Sequence, residues 1–308
     1  MILDSQNLDE PIHKRNLYPF FQGFIAYIPQ GITDGRTRTT SIQMTASNYY
    51  RYDNHILNED WELWIDGEDY QWLGEQNIPL PHNWNSRISL PLVFHSPGVF
   101  DPAIQSFHHL FGFPNGGREH HPDNVAMIHY TSPQYKYTND SKNWGVQSLT
   151  YTIITPSLGN RWLVQGQGGI KLPSINPAFP LGYDTWDYQL LGILYRDLGP
   201  WTITLNGGLA YWSDPHILDI PFSEFSLLYG VMASWKVNST QRVLVQIHGQ
   251  TSPYESGHSR IDYDSRYITV GYRTLLSRNV SIDTSFTQEF LSYATSDIAV
   301  NLGLTYHH

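Results

Sequence analysis

The last stretch of the chain, 279–306, constrains the fold more than any other. Val280, Ile282, Phe286 and Phe290 alternate with Ser281, Asp283, Ser285, Thr287 and Glu289, a period of two that only an extended strand sorts onto two faces. After a polar break at 292–296, Ile298, Val300, Leu302, Leu304 and Tyr306 alternate with Ala299, Asn301, Gly303 and Thr305. The pair predicts an antiparallel hairpin. Its polar face is small, and its apolar face closes on an aromatic, which is the pattern of a transmembrane β-barrel with the apolar side toward lipid.

Composition fits that reading without forcing it. The aromatic fraction of 14%, with Trp 10 and Tyr 21, suits rings placed at two membrane interfaces, and also suits a soluble carbohydrate-binding β-sandwich. A formal net charge of -10 argues against nucleic acid as partner, since phosphates call for a basic face. Cys 0 removes thiolate metal sites, thiol catalysis and disulfides. No run of about 18 apolar residues exists to form a membrane helix, and the start Met1-Ile-Leu-Asp lacks the basic and apolar regions of a signal peptide. Met1 therefore reads as an expression start on a mature sequence, and His307 with His308 as a tag remnant.

Residues 1–36 show no alternation, and the apolar, proline-broken run 17–29, with Phe20 and Phe21, reads as a periplasmic segment or a plug. From residue 37 the pattern predicts an all-β, up-and-down antiparallel barrel of about twelve strands: 37–52, 57–78, 84–97, 144–155, 161–172, 184–196, 201–213, 224–236, 242–253, 261–275, 279–291 and 297–306. Connections at 79–83, 156–160, 197–200, 237–241 and 276–278 are tight turns, whereas 98–143, 173–183 and 213–223 are long. Short turns on one rim and long loops on the other are the build of outer-membrane barrels. The strand 57–78, acidic at Glu59, Asp60, Glu62, Asp66, Glu68 and Asp69, is expected to project beyond the bilayer. In the long extracellular loop, Asp101-Pro102 reads as a helix cap and first turn, with Ala103, Ile104, Phe107, Leu110 and Phe111 as its apolar stripe.

Three stretches, Arg15-Asn-Leu-Tyr-Pro19, the segment 106–124 (Ser-Phe-His-His-Leu-Phe-Gly-Phe-Pro-Asn-Gly-Gly-Arg-Glu-His-His-Pro-Asp-Asn) and Gly169-Ile-Lys-Leu-Pro173, carry a resemblance. The chain resembles the proteobacterial outer-membrane proteins of domain-of-unknown-function family 3187. That implies location and fold but supplies no mechanism. Gly169-Ile-Lys-Leu-Pro173 is also similar to a motif of channels associated with degradation of aromatic compounds, where Ser174 and Ile175 replace the usual Thr-Gly.

Lipid-cleaving barrels place a Ser two residues after a His on one strand face, and no His-x-Ser occurs here. An omptin-like protease would need paired acids and an Asp-His couple near the outer rim, from Glu62, Asp66, Asp262, Asp264 and His258. His108, His120 and His121 are weak metal-ligand candidates among fourteen His, and no cofactor is expected. The better candidates are the inward-parity charges Arg87, Lys171, Arg242, His248, Arg273, Asp283 and Glu289, as a constriction that selects by charge or as mutually paired lumenal ions. Phe107, Leu110, Phe111, Phe20 and Phe21 are candidate gate or plug residues. The expectation is a monomeric bacterial outer-membrane barrel, in contact with lipid and lipopolysaccharide, that passes a small solute passively. The alternatives are a barrel that binds a surface partner through its long loop, and an outer-membrane enzyme.

Overall fold

The computed structural model describes residues 6–53, 62–112, 116–132, 136–175, 177–215, 220–292 and 294–308. A 3-10 turn at Gln6–Asp9 precedes the short helix α1 (Pro19–Gln22), and α2 (Asp101–Phe111) lies in the long loop. Fifteen strands follow chain order among the described residues: β1 (Thr39–Asp53), β2 (Glu62–Pro79), β3 (Asn85–Ser96), β4 (Met127–Thr131), β5 (Lys136–Asn139), β6 (Asn143–Val146), β7 (Thr150–Ile154) and β8 (Leu163–Lys171), then β9 (Asp187–Asp197), β10 (Trp201–Trp212), β11 (Phe225–Lys236), β12 (Gln241–Gln250), β13 (Ser265–Ser277), β14 (Val280–Glu289) and β15 (Ile298–His307). Twelve of them, all but β4 to β6, pair antiparallel with their barrel neighbours, and the cylinder is closed by β1 on β15, from Thr39↔His307 to Asn48↔Ile298. Closure leaves no open sheet edge within the bilayer.

Burial is inverted relative to a soluble protein. On β15, Val300, Leu302 and Leu304 are 43–50% exposed while Ala299 and Asn301 are 3% exposed. Around the cylinder, Leu205, Leu209, Leu227, Val231, Val245 and Val270 face out, and Gln165, Lys171, Thr202, Thr204, Arg242 and Gln246 are buried within. Trp84, Trp162, Trp201, Trp235, Tyr272 and Tyr306 lie exposed beside the short-turn rim, and Tyr188, Phe225 and Phe290 beside the other. Such rings sit where headgroups meet acyl chains.

The long loop departs from the expected plain connection with one helix. It adds β4, which pairs with Glu62–Asp66 of β2, then β5 on β4, and β6 on β3. The predicted strand 144–155 is two strands, β6 and β7, and the reason lies opposite them. β3 pairs with β6 over Leu92–His95 and with β7 over Asn85–Ser89, and between these runs stands Pro91, which has no N–H to give the ladder. Only its carbonyl is used, accepting from Gln147 N at 2.9 Å. The start of the acidic strand, with Glu59 and Asp60, lies outside the described residues.

Asp101 does not cap its helix. Phe100 is the N-cap, its N–H is taken by Glu68 Oε1 of β2 at 2.5 Å, and Asp101 turns instead to a buried charge network. Arg118 Nη1 donates to Asp101 Oδ1 at 2.7 Å, and its Nη2 reaches Asn48 Oδ1 and Asp297 Oδ2, both at 2.6 Å. Asn124 N adds a bond to Asp101 Oδ2 at 2.7 Å, and Arg51 pairs with Asp297 and Glu289. Gly98 lets the chain enter this arrangement: its φ is +76°, and a Cβ there would fall 1.9 Å from the Glu68 carboxyl carbon. The loop is thus riveted to the rim.

Replacing Leu302, midway along β15 and facing lipid, with Arg is expected to cost about 2–4 kcal/mol, read as a shift in the urea midpoint for refolding into lipid vesicles. A stability unchanged within error would mean that this face does not meet acyl chains. For the loop, burial raises the Asp297 pKa, but the Arg51 and Arg118 guanidiniums outweigh that and hold it below the usual range. A depressed carboxylate stabilises above its unfolded pKa and ceases to as pH falls through the folded one. Protease resistance of 98–143 is therefore expected to persist at neutral pH and to fail below about pH 4. Arg118→Ala should abolish it at all pH values, through a loss of roughly 3–5 kcal/mol for a broken buried pair; equal cleavage rates for the two chains at pH 7 would exclude the rivet.

Candidate functional site

The barrel interior is occupied by the N-terminal segment, and its path can be followed from contact to contact. It begins at the short-turn rim, where Asp9 Oδ1 accepts from Arg242 Nε at 2.8 Å and Ser234 Oγ at 2.7 Å, while Arg273 Nη1 donates to the carbonyls of Leu8 and Glu10 at 3.2 and 2.7 Å. It then climbs. His13 Nδ1 lies 2.6 Å from Glu75 Oε2, Lys14 Nζ sits 5.5 Å from the Tyr267 ring centre, and Asn16 Oδ1 accepts from Tyr267 Oη at 2.5 Å. At the loop rim α1 reverses the direction, with Tyr18 Oη donating to the Arg260 carbonyl at 3.2 Å.

The reversal is held by aromatic rings. Phe20 packs edge-on to Tyr130, Phe179 and Tyr254, and Phe24 stacks on Trp212 at 4.8 Å. Gln22 at the apex donates to Asp69 of β2, which also meets His95 Nδ1 at 2.9 Å, and His95 in turn meets Tyr49 Oη at 2.9 Å. The segment then descends through Ile25 N to Asp187 Oδ2 at 2.7 Å, reaching Asn83 at the short-turn rim through Arg36 Nε.

An irregular backbone at membrane depth must still satisfy its N–H and C=O groups. Three carboxamides of the wall do so, each by two bonds to one residue. Gln246 holds Ile12 N and O at 2.9 and 3.0 Å, Asn206 holds Gln30 N and O at 2.6 and 2.8 Å, and Gln165 holds Thr33 N and O at 2.9 Å each. A planar amide with one donor and one acceptor imitates a neighbouring strand. The alternation of apolar and polar residues puts Gln165, Asn206 and Gln246 on the inward face but gives no sign of that role.

The sequence candidates are placed as follows. Arg87, Lys171, Arg242, His248, Arg273 and Asp283 are all buried and inward, yet they meet the segment or other residues of the wall rather than open water. Lys171 Nζ lies 3.3 Å from Asp187 and Arg273 lies 3.5 Å from Asp283; Arg87 Nε donates to Asn77 at 2.8 Å and Arg87 Nη1 to Gln30. His248 lies between the rings of Tyr27 and Tyr267, and Glu289 belongs with Arg51 at the loop rim. Phe20 and Phe21 are buried at the apex of the segment. Leu110 does not enter the barrel mouth and is 75% exposed, because the side of α2 that faces the rim is set by Asp101, Ile104 and His108. Phe107 is half-buried, and the side chain of Phe111 lies outside the described residues.

The three loop histidines do not converge. His121 bonds to Tyr50 Oη at 2.7 Å and packs on Tyr52 and Trp64, and the His120 side chain is 77% exposed. No group of three or more His, Asp or Glu suited to a metal occurs among the described residues.

A space lies between the segment and the wall of β2, β3, β7, β8 and β9. It is a cavity of about 50 Å³, lined by polar groups that include Arg15, Glu75, Arg87, Gln167 and Lys171, and it has room for a few waters.

A closed cylinder of twelve strands, apolar where it faces outward and polar within, with aromatic belts at both rims, is a bacterial outer-membrane β-barrel. Among solved structures the fold is similar to the COG4313 outer membrane channel from Pseudomonas putida F1, with TM-score 0.58 and 12% identity over 90% of this chain and 97% of that one. It is also similar to the NanC porin, with TM-score 0.50 and 6% identity over 87% and 98%. The chain matches no sequence among the curated proteins. It belongs to the family described as protein of unknown function DUF3187, whose model matches residues 27–308. Arg15-Asn-Leu-Tyr-Pro19 and the ascending half of the segment lie before the matched range.

Gln246→Leu leaves Ile12 N and O without partners, an expected loss of roughly 2–5 kcal/mol in the docking of the segment. Hydrogen exchange at 9–16 should then accelerate while exchange in β12 and β13 stays slow. Unchanged protection at 9–16 would show that the amide clamp does not hold it.

Proposed function

We propose that the protein is a passive channel for a small solute, closed at rest by its N-terminal segment. What carries this reading is the nature of the filling. The wall's own side chains do not close the lumen; a continuous segment does, docked through side-chain to backbone bonds and a few ion pairs. Twelve strands make a barrel between those that side chains fill and those that hold a wide aqueous channel. Removal of the segment would leave a lumen lined by Arg87, Lys171, Arg242, Arg273, Asp283 and the three carboxamides. The similarity to a structure described as an outer membrane channel and to one described as a porin supports the same reading.

The segment rather than the long loop is the gate in this proposal, because the loop is riveted at the rim and Leu110 points away from the mouth. In planar bilayers the full chain is expected to give small or brief current steps. Deletion of residues 6–34 should raise the unit conductance several-fold, whereas Arg118→Ala, which frees the loop, should change it by less than twofold. A deletion variant that still migrates as a folded, heat-modifiable barrel and passes no current would overturn the channel.

A further inference from the structure

The cavity of about 50 Å³ between the segment and the wall is lined by three cationic side chains, Arg15, Arg87 and Lys171, and by one carboxylate, Glu75. How these charges are used decides what the space can hold. Lys171 is neutralised by Asp187 at 3.3 Å. Both oxygens of Glu75 are occupied, Oε1 by Ser89 Oγ at 2.8 Å and Oε2 by His13 Nδ1 at 2.6 Å. The two guanidiniums hydrogen-bond only to neutral oxygens among the described residues, Arg87 to the amide oxygens of Asn77 and Gln30 and Arg15 Nη2 to the carbonyls of Gln22 and Phe24, and Arg87 also feels the charge of Glu75 without a bond to it.

Two further atoms point to a ligand. Arg15 Nε and Gln167 Nε2 are buried and have no hydrogen-bond partner, Arg15 and Gln167 being only 6% exposed. Both are donors, and neither can accept. A buried donor left without an acceptor costs about 1–3 kcal/mol, more when charged, so this lining calls for an acceptor in the cavity, and beside guanidiniums that hydrogen-bond only to neutral oxygens an anion meets that need better than water. We propose that the cavity is a binding site for a small monovalent anion, a halide or the carboxylate end of a small organic acid. Its use as the selective point of a transport path rests on the channel reading above; the site itself rests on the lining alone.

The full chain in detergent micelles can be tested with chloride as probe, by the excess line width of the chloride-35 resonance. The expected result is a broadening removed by millimolar acetate. Gln167→Glu keeps the side-chain volume, adds a carboxylate to the lining that holds Arg15 and Arg87, and should reduce the broadening at least tenfold. Acetate competition on the unaltered chain needs no variant, so a misfolded Gln167→Glu chain does not decide the matter. No broadening, or broadening that acetate leaves unchanged, would overturn the site. Bilayer recordings separate the two proposals. Current steps without acetate-sensitive chloride broadening retain the channel and remove the site, and such broadening without current does the reverse.

Discussion

Everything inside this barrel depends on where an irregular backbone finds its hydrogen bonds. A strand in a closed sheet is satisfied by its neighbours, but a segment that leaves regular structure and still runs through the membrane zone has no such neighbours. Here the wall supplies them from side chains. Gln165, Asn206 and Gln246 each present an amide donor and acceptor to one residue of the segment, and Arg242, Arg273, Glu75 and Asp187 supply charged partners. The inward polarity of the strands and the presence of the segment are therefore one requirement: a wall with apolar inner residues could not hold it.

The same logic separates the two ends of the cylinder. Toward the short turns, contacts between segment and wall are mostly hydrogen bonds and ion pairs, each of which water could replace at little net cost. At the loop rim the apex is seated in rings, with Phe20 and Phe24 among Tyr130, Phe179, Tyr183, Trp212 and Tyr254, and these contacts gain most from exclusion of water. The segment is thus bound firmly at its turn and more replaceably along its two limbs. Release of the limbs before the apex follows from that asymmetry.

The cylinder was legible in the sequence, because the alternation that sorts residues between lipid and lumen is local and covers most strands. The asymmetry of the rims was legible from connection length alone. What escaped had no period to betray it. Residues 8–35 pair with side chains rather than with a strand, so their sequence need only be packable, and it shows as apolar residues broken by prolines. The carboxamides were visible as inward residues, but a Gln facing water and a Gln gripping a backbone look alike until the backbone is located. The short strands β4 and β5 leave no such pattern for a related cause: four- or five-residue strands have too few alternations to stand out, and β4 exists because β2 extends past the barrel to receive it. Pro91 was the one available signal that a single strand at 144–155 could not pair continuously with β3.

The lumenal charges show how far parity reasoning can go. It assigned Arg87, Lys171, Arg242, Arg273 and Asp283 to the interior, and two outcomes were open, pairing across strands or a charged constriction. Pairing across strands accounts for Arg273 with Asp283 and for Lys171 with Asp187, which had not been singled out. It does not account for Arg242, whose partner Asp9 comes from the segment, nor for Arg87, which has only amide oxygens. Arg15, brought in by the segment itself, adds a second guanidinium without a carboxylate beside Arg87. Docking of the segment thus neutralises one wall cation, Arg242, through Asp9 and brings in another guanidinium, Arg15, so the distribution of charge in the filled barrel differs from that of the cylinder without the segment. A segment that both fills a lumen and alters its charge would, in the proposed channel, couple occupancy to selectivity: an anion held in the cavity would also bear on Arg15, whose guanidinium ties the ascending limb to the carbonyls of Gln22 and Phe24.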